Sequence, residues 1–312
     1  MRISTNTIFE SGSARLSELQ SSLLKTQQQI SANRRLLTPA DDPIAAARAL
    51  EITQSQSLNT QYATNRKSAT SALSLEESSL QSVTSLIQDV QTQVVEAGNA
   101  GYDDVQRKYI ATDLRGRLDE LISLANTRDS EGNYQFSGFQ TSTQPFSSSA
   151  SASGVQYSGD QGQRLLQVGT SRQMAISDSG DGVFEKVASS TGGTQSVFKT
   201  LDNLIKLLET PATTPDDKKN LTAGLATAST NMSNALDNVL TVRASVGSRL
   251  KELETLDSAG TDRDIQYSDQ LSQLQDLDYY KAASDLTMQK TTLEAAQQSF
   301  IKITGLSLFN FL

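Results

Sequence analysis

Residues 221–256 read LTAGLATASTNMSNALDNVLTVRASVGSRLKELETL, and two seven-residue series run through them. Leu225, Met232, Val239, Val246 and Leu253 form one; Leu221, Ala228, Ala235, Val242 and Leu256 form the other, with Arg249 the exception. Apolar positions that repeat every seven residues stay on one face of a helix and give a coiled-coil seam. The stretch therefore predicts a long helix buried along one stripe. Thr214-Pro215 starts it, because a Thr hydroxyl can cap a helix whose first residue is Pro.

Working outward, a last helix is expected after Gly260. It carries Leu286, Leu293 and Phe300 seven apart, with Ala296 and Ile303 beside them, before the tail Gly305-Leu306-Ser307-Leu308-Phe309-Asn310-Phe311-Leu312. At the other end Leu16, Leu23, Ile30 and Leu37, with Leu19, predict a helix reaching to Pro39. Asp42 can cap the next one, with Pro43 in its first turn. That second helix should run to about Ala97 on Leu73, Leu80, Ile87 and Val94, interleaved with Val83, Val90 and Ala97. Gly98 to Gly101 interrupts, and a third helix is expected from about Asp103 to Arg128 on Ile110, Leu114, Leu118, Leu121 and Ala125.

Between Gly132 and Gly193 lie ten of the 18 glycines, which marks a small β region with loops. Strands are expected at Tyr134 to Phe139, Val155 to Tyr157, Leu165 to Val168 and Met174 to Ile176. The Ser147 to Ser153 run reads equally as a short linker or a hairpin loop. Helical signals resume at Ser196. The fold class is mainly α with a small β insert: a long coiled-coil-like helical bundle from both chain ends plus a central β-rich domain. Its expected division is 1–40 with 278–312 as a terminal helical domain, 41–132 with 196–277 as a helical bundle, and 133–195 as the β-rich domain.

Composition narrows the chemistry. A chain of 312 residues can bury a sizeable core without staples. Only 5% aromatic residues and no Trp favour helices packed on aliphatic seams. The net charge of -8 would meet a phosphate backbone with repulsion, so nucleic acid is not expected as a partner. Without Cys or His the chain has no thiolate, no disulfide, and neither the commonest general base nor the commonest metal ligand. No cofactor or metal is expected. No apolar run has the length of a signal peptide core or a membrane span, so membrane insertion is not expected. Export of the unfolded chain through a dedicated channel would leave the same pattern.

Patterns that imitate active sites have simpler explanations. The Asp pairs 41/42, 103/104 and 216/217 could be carboxylate dyads, but each stands at a helix start, where carboxylates satisfy free N–H groups and the helix dipole. Ser-x-x-Lys occurs at Ser22/Lys25, Ser196/Lys199, Ser248/Lys251 and Ser299/Lys302, too often in a Ser-rich chain to signify, and its companion motifs are missing. Asp178-Ser179-Gly180-Asp181-Gly182 lacks the full Ca²⁺-loop pattern and reads as a turn. The heptads are the real signal. At the chain ends their stripes are narrow on otherwise polar helices, which calls for extra contacts. The candidate assembly interface is therefore Leu16, Leu19, Leu23, Ile30, Leu286, Leu293, Ala296, Phe300, Ile303, Leu308, Phe309, Phe311 and Leu312.

Several blocks are similar to one family. They are Arg2-Ile3-Ser4-Thr5, Ser31-Ala32-Asn33-Arg34-Arg35, and Pro39-Ala40-Asp41-Asp42-Pro43-Ile44-Ala45-Ala46-Ala47-Arg48. Further on stand Leu124-Ala125-Asn126-Thr127-Arg128-Asp129, Gly132-Asn133-Tyr134-Gln135-Phe136-Ser137-Gly138-Phe139, Pro145-Phe146 and Tyr157-Ser158-Gly159-Asp160. Asp285-Leu286-Thr287, Thr292-Leu293-Glu294-Ala295-Ala296 and the closing Phe309-Asn310-Phe311-Leu312 complete the set. Together they resemble the hook-associated protein 3 family of flagellin-like axial proteins. One departure is Asn33, where the family often has Gly; Asn tolerates a left-handed turn.

The resemblance implies a non-enzymatic subunit of the bacterial flagellum at the hook-filament junction, transiently cytoplasmic and then secreted unfolded by the flagellar type III export apparatus. It implies a cytoplasmic export chaperone at the C-terminal helix, a tubular self-oligomer, and neighbours of the hook-associated protein 1 and flagellin types. A flagellin-type filament subunit or a generic coiled-coil interaction protein are the alternatives.

Overall fold

A computed structural model describes residues 5–149 and 154–305. Its α-helices are α1 (Thr5–Ala32), α2 (Pro43–Ala97), α3 (Asp104–Ala125), α4 (Val197–Glu209), α5 (Pro215–Gln275) and α6 (Tyr279–Gly305), and a short π-helix covers Asp181–Glu185. Between α3 and α4 lie β1 (Phe146–Ser149), β2 (Gly154–Tyr157), β3 (Leu165–Gly169), β4 (Arg172–Ala175), β5 (Val187–Ala188) and β6 (Thr194–Gln195). They form three separate antiparallel pairs, β1 with β2, β3 with β4 and β5 with β6.

The Asp pairs act on helix starts. Asp42 Oδ1 accepts from the Ala45 N–H at 3.0 Å and caps α2, with Pro43 as its first residue. Asp103 caps α3 in a capping box with Gln106. At α5 the two partners are Thr214, whose hydroxyl accepts from the Asp217 N–H at 3.1 Å, and Asp217, which accepts from the Thr214 N–H at 2.9 Å.

Four expectations need correction. The first helix ends at Ala32 and not near Pro39, because Asn33 turns into the left-handed region at φ 50°. Arg35 N–H then donates to Gln275 O at 2.8 Å, so Leu37 lies off the helix. The third helix stops at Ala125, where Asn126 leaves helical geometry. Tyr134 to Phe139 is turn rather than strand, and its one ladder contact is an isolated bridge between Arg128 and Tyr134. Gly260 does not separate two helices: α5 passes straight through it, and the break falls at residues 276–278. A Cβ at Gly260 would collide with the Arg66 guanidinium. The glycine is there to seat an arginine.

By its contacts the chain divides into two compact units, 1–59 with 261–312, and 60–260. In the 60–260 unit one continuous core extends from Ala69 to Leu253 and includes Leu73, Leu80, Ile87, Leu114, Leu121, Leu201, Met232, Val239 and Val246. Phe136, Phe146, Phe184 and Phe198 form its aromatic end, with ring centroids 4.9 to 5.7 Å apart.

Polar residues that interrupt the α2 and α5 seams hold the β insert. Arg249, the heptad exception, pairs with Asp178 and donates from Nη1 to Ala175 O at 2.9 Å. Asn238 Nδ2 donates to Gly182 O at 3.0 Å and Val183 O at 2.9 Å. From α2, Asn65 donates to Gln167 O at 2.7 Å, and buried Arg66 pairs with Asp257 at 3.0 Å.

Glu76 of α2 is fully buried beside Asp178. Its Oε1 accepts from the Asp178 N–H at 3.1 Å, while its Oε2 has no hydrogen-bond partner. Burial, followed by the nearby Asp178 carboxylate, pushes the Glu76 carboxyl up to about 8, partly offset by Arg249.

Candidate assembly surface

The unit of 1–59 and 261–312 is built differently. Among its described residues the only apolar side chains that are fully buried are Ala45, Ala49 and Ala282. Three methyl groups bury little, at about 0.8 kcal/mol per carbon. Ordering a residue costs about 1–2 kcal/mol of backbone entropy.

Within this unit α1 packs against α6. The Phe9 and Phe300 rings lie 5.4 Å apart, and Gln289 Nε2 donates to Ser22 Oγ at 3.2 Å. Leu16, Leu19, Leu23 and Ile30 on α1, and Leu286, Leu293, Ala296 and Phe300 on α6, are all half-buried. Ile303 is 54% exposed. Leu308, Phe309, Phe311 and Leu312 lie outside the described residues.

A second set of apolar residues, which the seven-residue spacing did not single out, is left facing outward. It comprises Leu24 on α1, Ile44 and Leu50 on α2, Tyr280, Met288 and Ile301 on α6, with Leu50 70% and Tyr280 90% exposed. Isolated exposed leucines are ordinary, but this density on a unit with so little interior resembles half of a core. The available signal was the apolar residues off the heptad, which sequence reading treats as background.

The connection at residues 33–42 is held firmly. Arg35 Nη2 donates to Leu274 O at 2.8 Å, and Gln29 Nε2 to Arg35 O at 2.7 Å. Asp41 accepts from the N–H groups of Leu37 at 3.0 Å and Thr38 at 2.8 Å, and pairs with Lys25 at 2.6 Å. The hydrogen bond from Lys25, then that from Thr38, holds the Asp41 carboxyl down at about 2. Asp42 is likewise lowered, chiefly by its bond from Ala45. The acidic pair is thus spent on loop and cap.

Other sequence blocks prove architectural. Asn126 grips the Phe146 backbone with both ends of its amide, at 2.8 and 3.0 Å. Asp160 Oδ1 accepts from the N–H groups of Phe139 at 2.9 Å and Gly162 at 2.7 Å. The Arg128 guanidinium lies 4.2 Å over the Tyr134 ring. Among the described residues no group of three His, Cys, Asp or Glu is placed to hold a metal, and no helix is long and apolar enough to cross a membrane.

Residues 3–141 match the family model of the bacterial flagellin N-terminal helical region. Over 317 aligned residues the chain is 38% identical to flagellar hook-associated protein 3 of Escherichia coli K12, covering 99% of both chains. The corresponding Salmonella typhimurium protein is 37% identical with the same coverage. Among solved structures, hook-associated protein 3 of Legionella pneumophila superposes with a TM-score of 0.68 at 23% identity, over 72% of this chain and 98% of that one. Xanthomonas campestris FlgL gives 0.65 at 19% identity, over 71% and 99%. These two show a shared fold, and the full-length sequence relatives show more: the chain belongs to the flagellar hook-associated protein 3 family, a structural and non-enzymatic component of the bacterial flagellum.

Proposed function

We propose that this chain forms the hook-filament junction by polymerising through its terminal helices, between a hook-associated protein 1 on one side and flagellin on the other. The observation that carries the reading is the missing interior of the terminal unit, where three alanines are the only fully buried apolar residues described. Neighbouring copies supply what the chain lacks. Leu16, Leu19, Leu23, Ile30, Leu286, Leu293, Ala296, Phe300 and Ile303 seat α1 and α6 together at the tube wall, and the tail residues Leu308, Phe309, Phe311 and Leu312 complete that wall. The segments 1–40 with 278–312 form the inner tube, 41–132 with 196–277 the next shell, and 133–195 the outer surface. The chain leaves the cytoplasm unfolded through the type III export apparatus, with a chaperone bound to the C-terminal helix beforehand. Coupling is mechanical, with no substrate turned over.

Phe300→Asp in a strain deleted for the native protein tests this. Full burial of a Phe is worth about 1.5–3 kcal/mol, and a charge in a packed seam costs more. Filament attachment should be lost and flagellin shed into the medium, while the melting of the 60–260 core, which does not contain Phe300, barely changes. Secretion is measured alongside, since reduced export would imitate failed assembly. Normal export with normal attachment overturns the reading.

A further inference from the structure

The heptad seam joining α1 and α6 has an ambiguity that its own sequence does not remove. Leu16, Leu23 and Ile30 on one helix, and Leu286, Leu293 and Phe300 on the other, are evenly spaced. Sliding one helix past the other by seven residues keeps apolar opposite apolar. Register must be fixed by side-chain size or by a buried polar group.

The structure places one size-selective contact on this seam. Gly12 is the single glycine of α1, and a Cβ built there would stand 2.6 Å from both Cδ2 and Cε2 of Phe300. Real carbon atoms do not approach so closely, so the ring occupies the space a side chain would need. Mid-helix glycine costs about 1 kcal/mol relative to alanine, and neither a turn nor a positive φ calls for one here. The ring contact accounts for its presence.

Moving along α1 from Gly12 to Ser22 moves back along α6 from Phe300 to Gln289, the pair joined by a hydrogen bond at 3.2 Å. The helices are antiparallel in near-constant register. On that register Leu16 stands level with Ala296 and Ile30 with Ala282, again large beside small. Shift Phe300 one turn toward the α1 C-terminus and its ring meets Leu16 in place of Gly12; shift it a heptad and it meets Leu19. At Gly12 the ring has the space that a side chain would fill.

We propose that Gly12 is the register key of the terminal helix pair: a socket for Phe300 that selects one axial stagger of α1 against α6 among those the heptads permit. It is a positioning residue, and through the stagger it decides which outward apolar residues, Leu24 and Met288 among them, a neighbouring copy meets. The inference rests on the polymerisation reading above.

Gly12→Leu separates the idea from a simple helix effect, because leucine is the better helix former and a plain helix would be stabilised by it. In the deletion strain this variant should anchor about tenfold fewer filaments, or worse, at unchanged secretion. Adding Phe300→Ala, which vacates the space, should restore much of the loss. The chain has no native cysteine, so register can be read directly. In assembled flagella, Ser22→Cys with Gln289→Cys should cross-link efficiently on oxidation, whereas Ser22→Cys with Ala296→Cys, one heptad out, should not. In the Gly12→Leu background the first cross-link should fall, and in the rescued background it should return.

Normal attachment with an unchanged cross-link in Gly12→Leu overturns the proposal. So does a loss that Phe300→Ala fails to relieve. The Phe300→Asp result judges the polymerisation reading separately: if that variant attaches normally, the reading itself has failed, whereas failure of Phe300→Asp with success of Gly12→Leu removes only the register key.

Discussion

Replacing Glu76 with Gln should stabilise the protein increasingly as pH rises from about 4.5 toward 8 and leave it unchanged below that window. Glu76 is fully buried, with Oε1 fixed by the Asp178 N–H and Oε2 unpartnered. The charged groups acting on it are the Asp178 carboxylate from the insert, itself bonded by Gln163, and Arg249 from α5. A protonated Oε2 can donate toward Asp178; an ionised one repels it. The folded carboxyl lies near 8 against an ordinary 4.5, so the folded state holds its proton more tightly than the unfolded chain. Its contribution is fully present below pH 4.5, falls as pH rises toward 8, and is lost above that. At about 1.4 kcal/mol per unit the whole change is at most about 5 kcal/mol, and local relaxation makes it smaller. Gln matches the neutral acid in shape and can make both bonds, and its amide has no proton to lose in this range. Urea unfolding at pH 4.5, 6.5 and 8.5 gives the difference between the two proteins, from which the other carboxylates cancel. That difference should be near zero at the lowest pH and favour the variant by a few kcal/mol at the highest. Equal pH slopes, or a variant weaker than the native protein at pH 8.5, would refute the reasoning.

Asp42→Ala removes the cap on α2 and should loosen its first turns by about 0.5–2 kcal/mol. Amide exchange should quicken from Ala45 to Ala49 and stay unchanged at Leu80; no change at Ala45 would remove the capping role. Gly260→Ala should destabilise by about 1–3 kcal/mol, despite alanine's better helix propensity, because its methyl displaces the buried Arg66 guanidinium from Asp257. A higher melting temperature for that variant would show that Arg66 relocates without loss.

The long helices were legible because their seams repeat over many turns: α2 spans Pro43–Ala97, against an expectation of Pro43 to about Ala97. Caps were legible for a related reason, since Asp42-Pro43 and Thr214-Pro215 are local signals whose bonds close within three residues. The errors came where a distant residue decides a local conformation. Gly260 looks like a breaker until Arg66, far away in sequence, is found against it. Leu37 continues a heptad perfectly, yet the pairing of Arg35 with Gln275 takes the chain off the helix before it. Arg249 could be seen as an exception to its series, but Asp178, its reason, could not. At the surface, heptad spacing marked the residues that join α1 to α6. It was blind to Tyr280 and Met288, whose exposure depends on which face the seam uses up.

The central claim is that the terminal helices gain their order from neighbouring copies, and amide exchange at Leu23 and Phe300 tests it most directly. Both are only half-buried in a unit whose described, fully buried apolar residues are three alanines. In dilute monomer they should exchange at close to the open-chain rate, while Leu80 and Val239, fully buried in the core, remain protected. In assembled flagella both should slow by orders of magnitude. Protection of Leu23 and Phe300 in the monomer equal to that of the core would contradict the account.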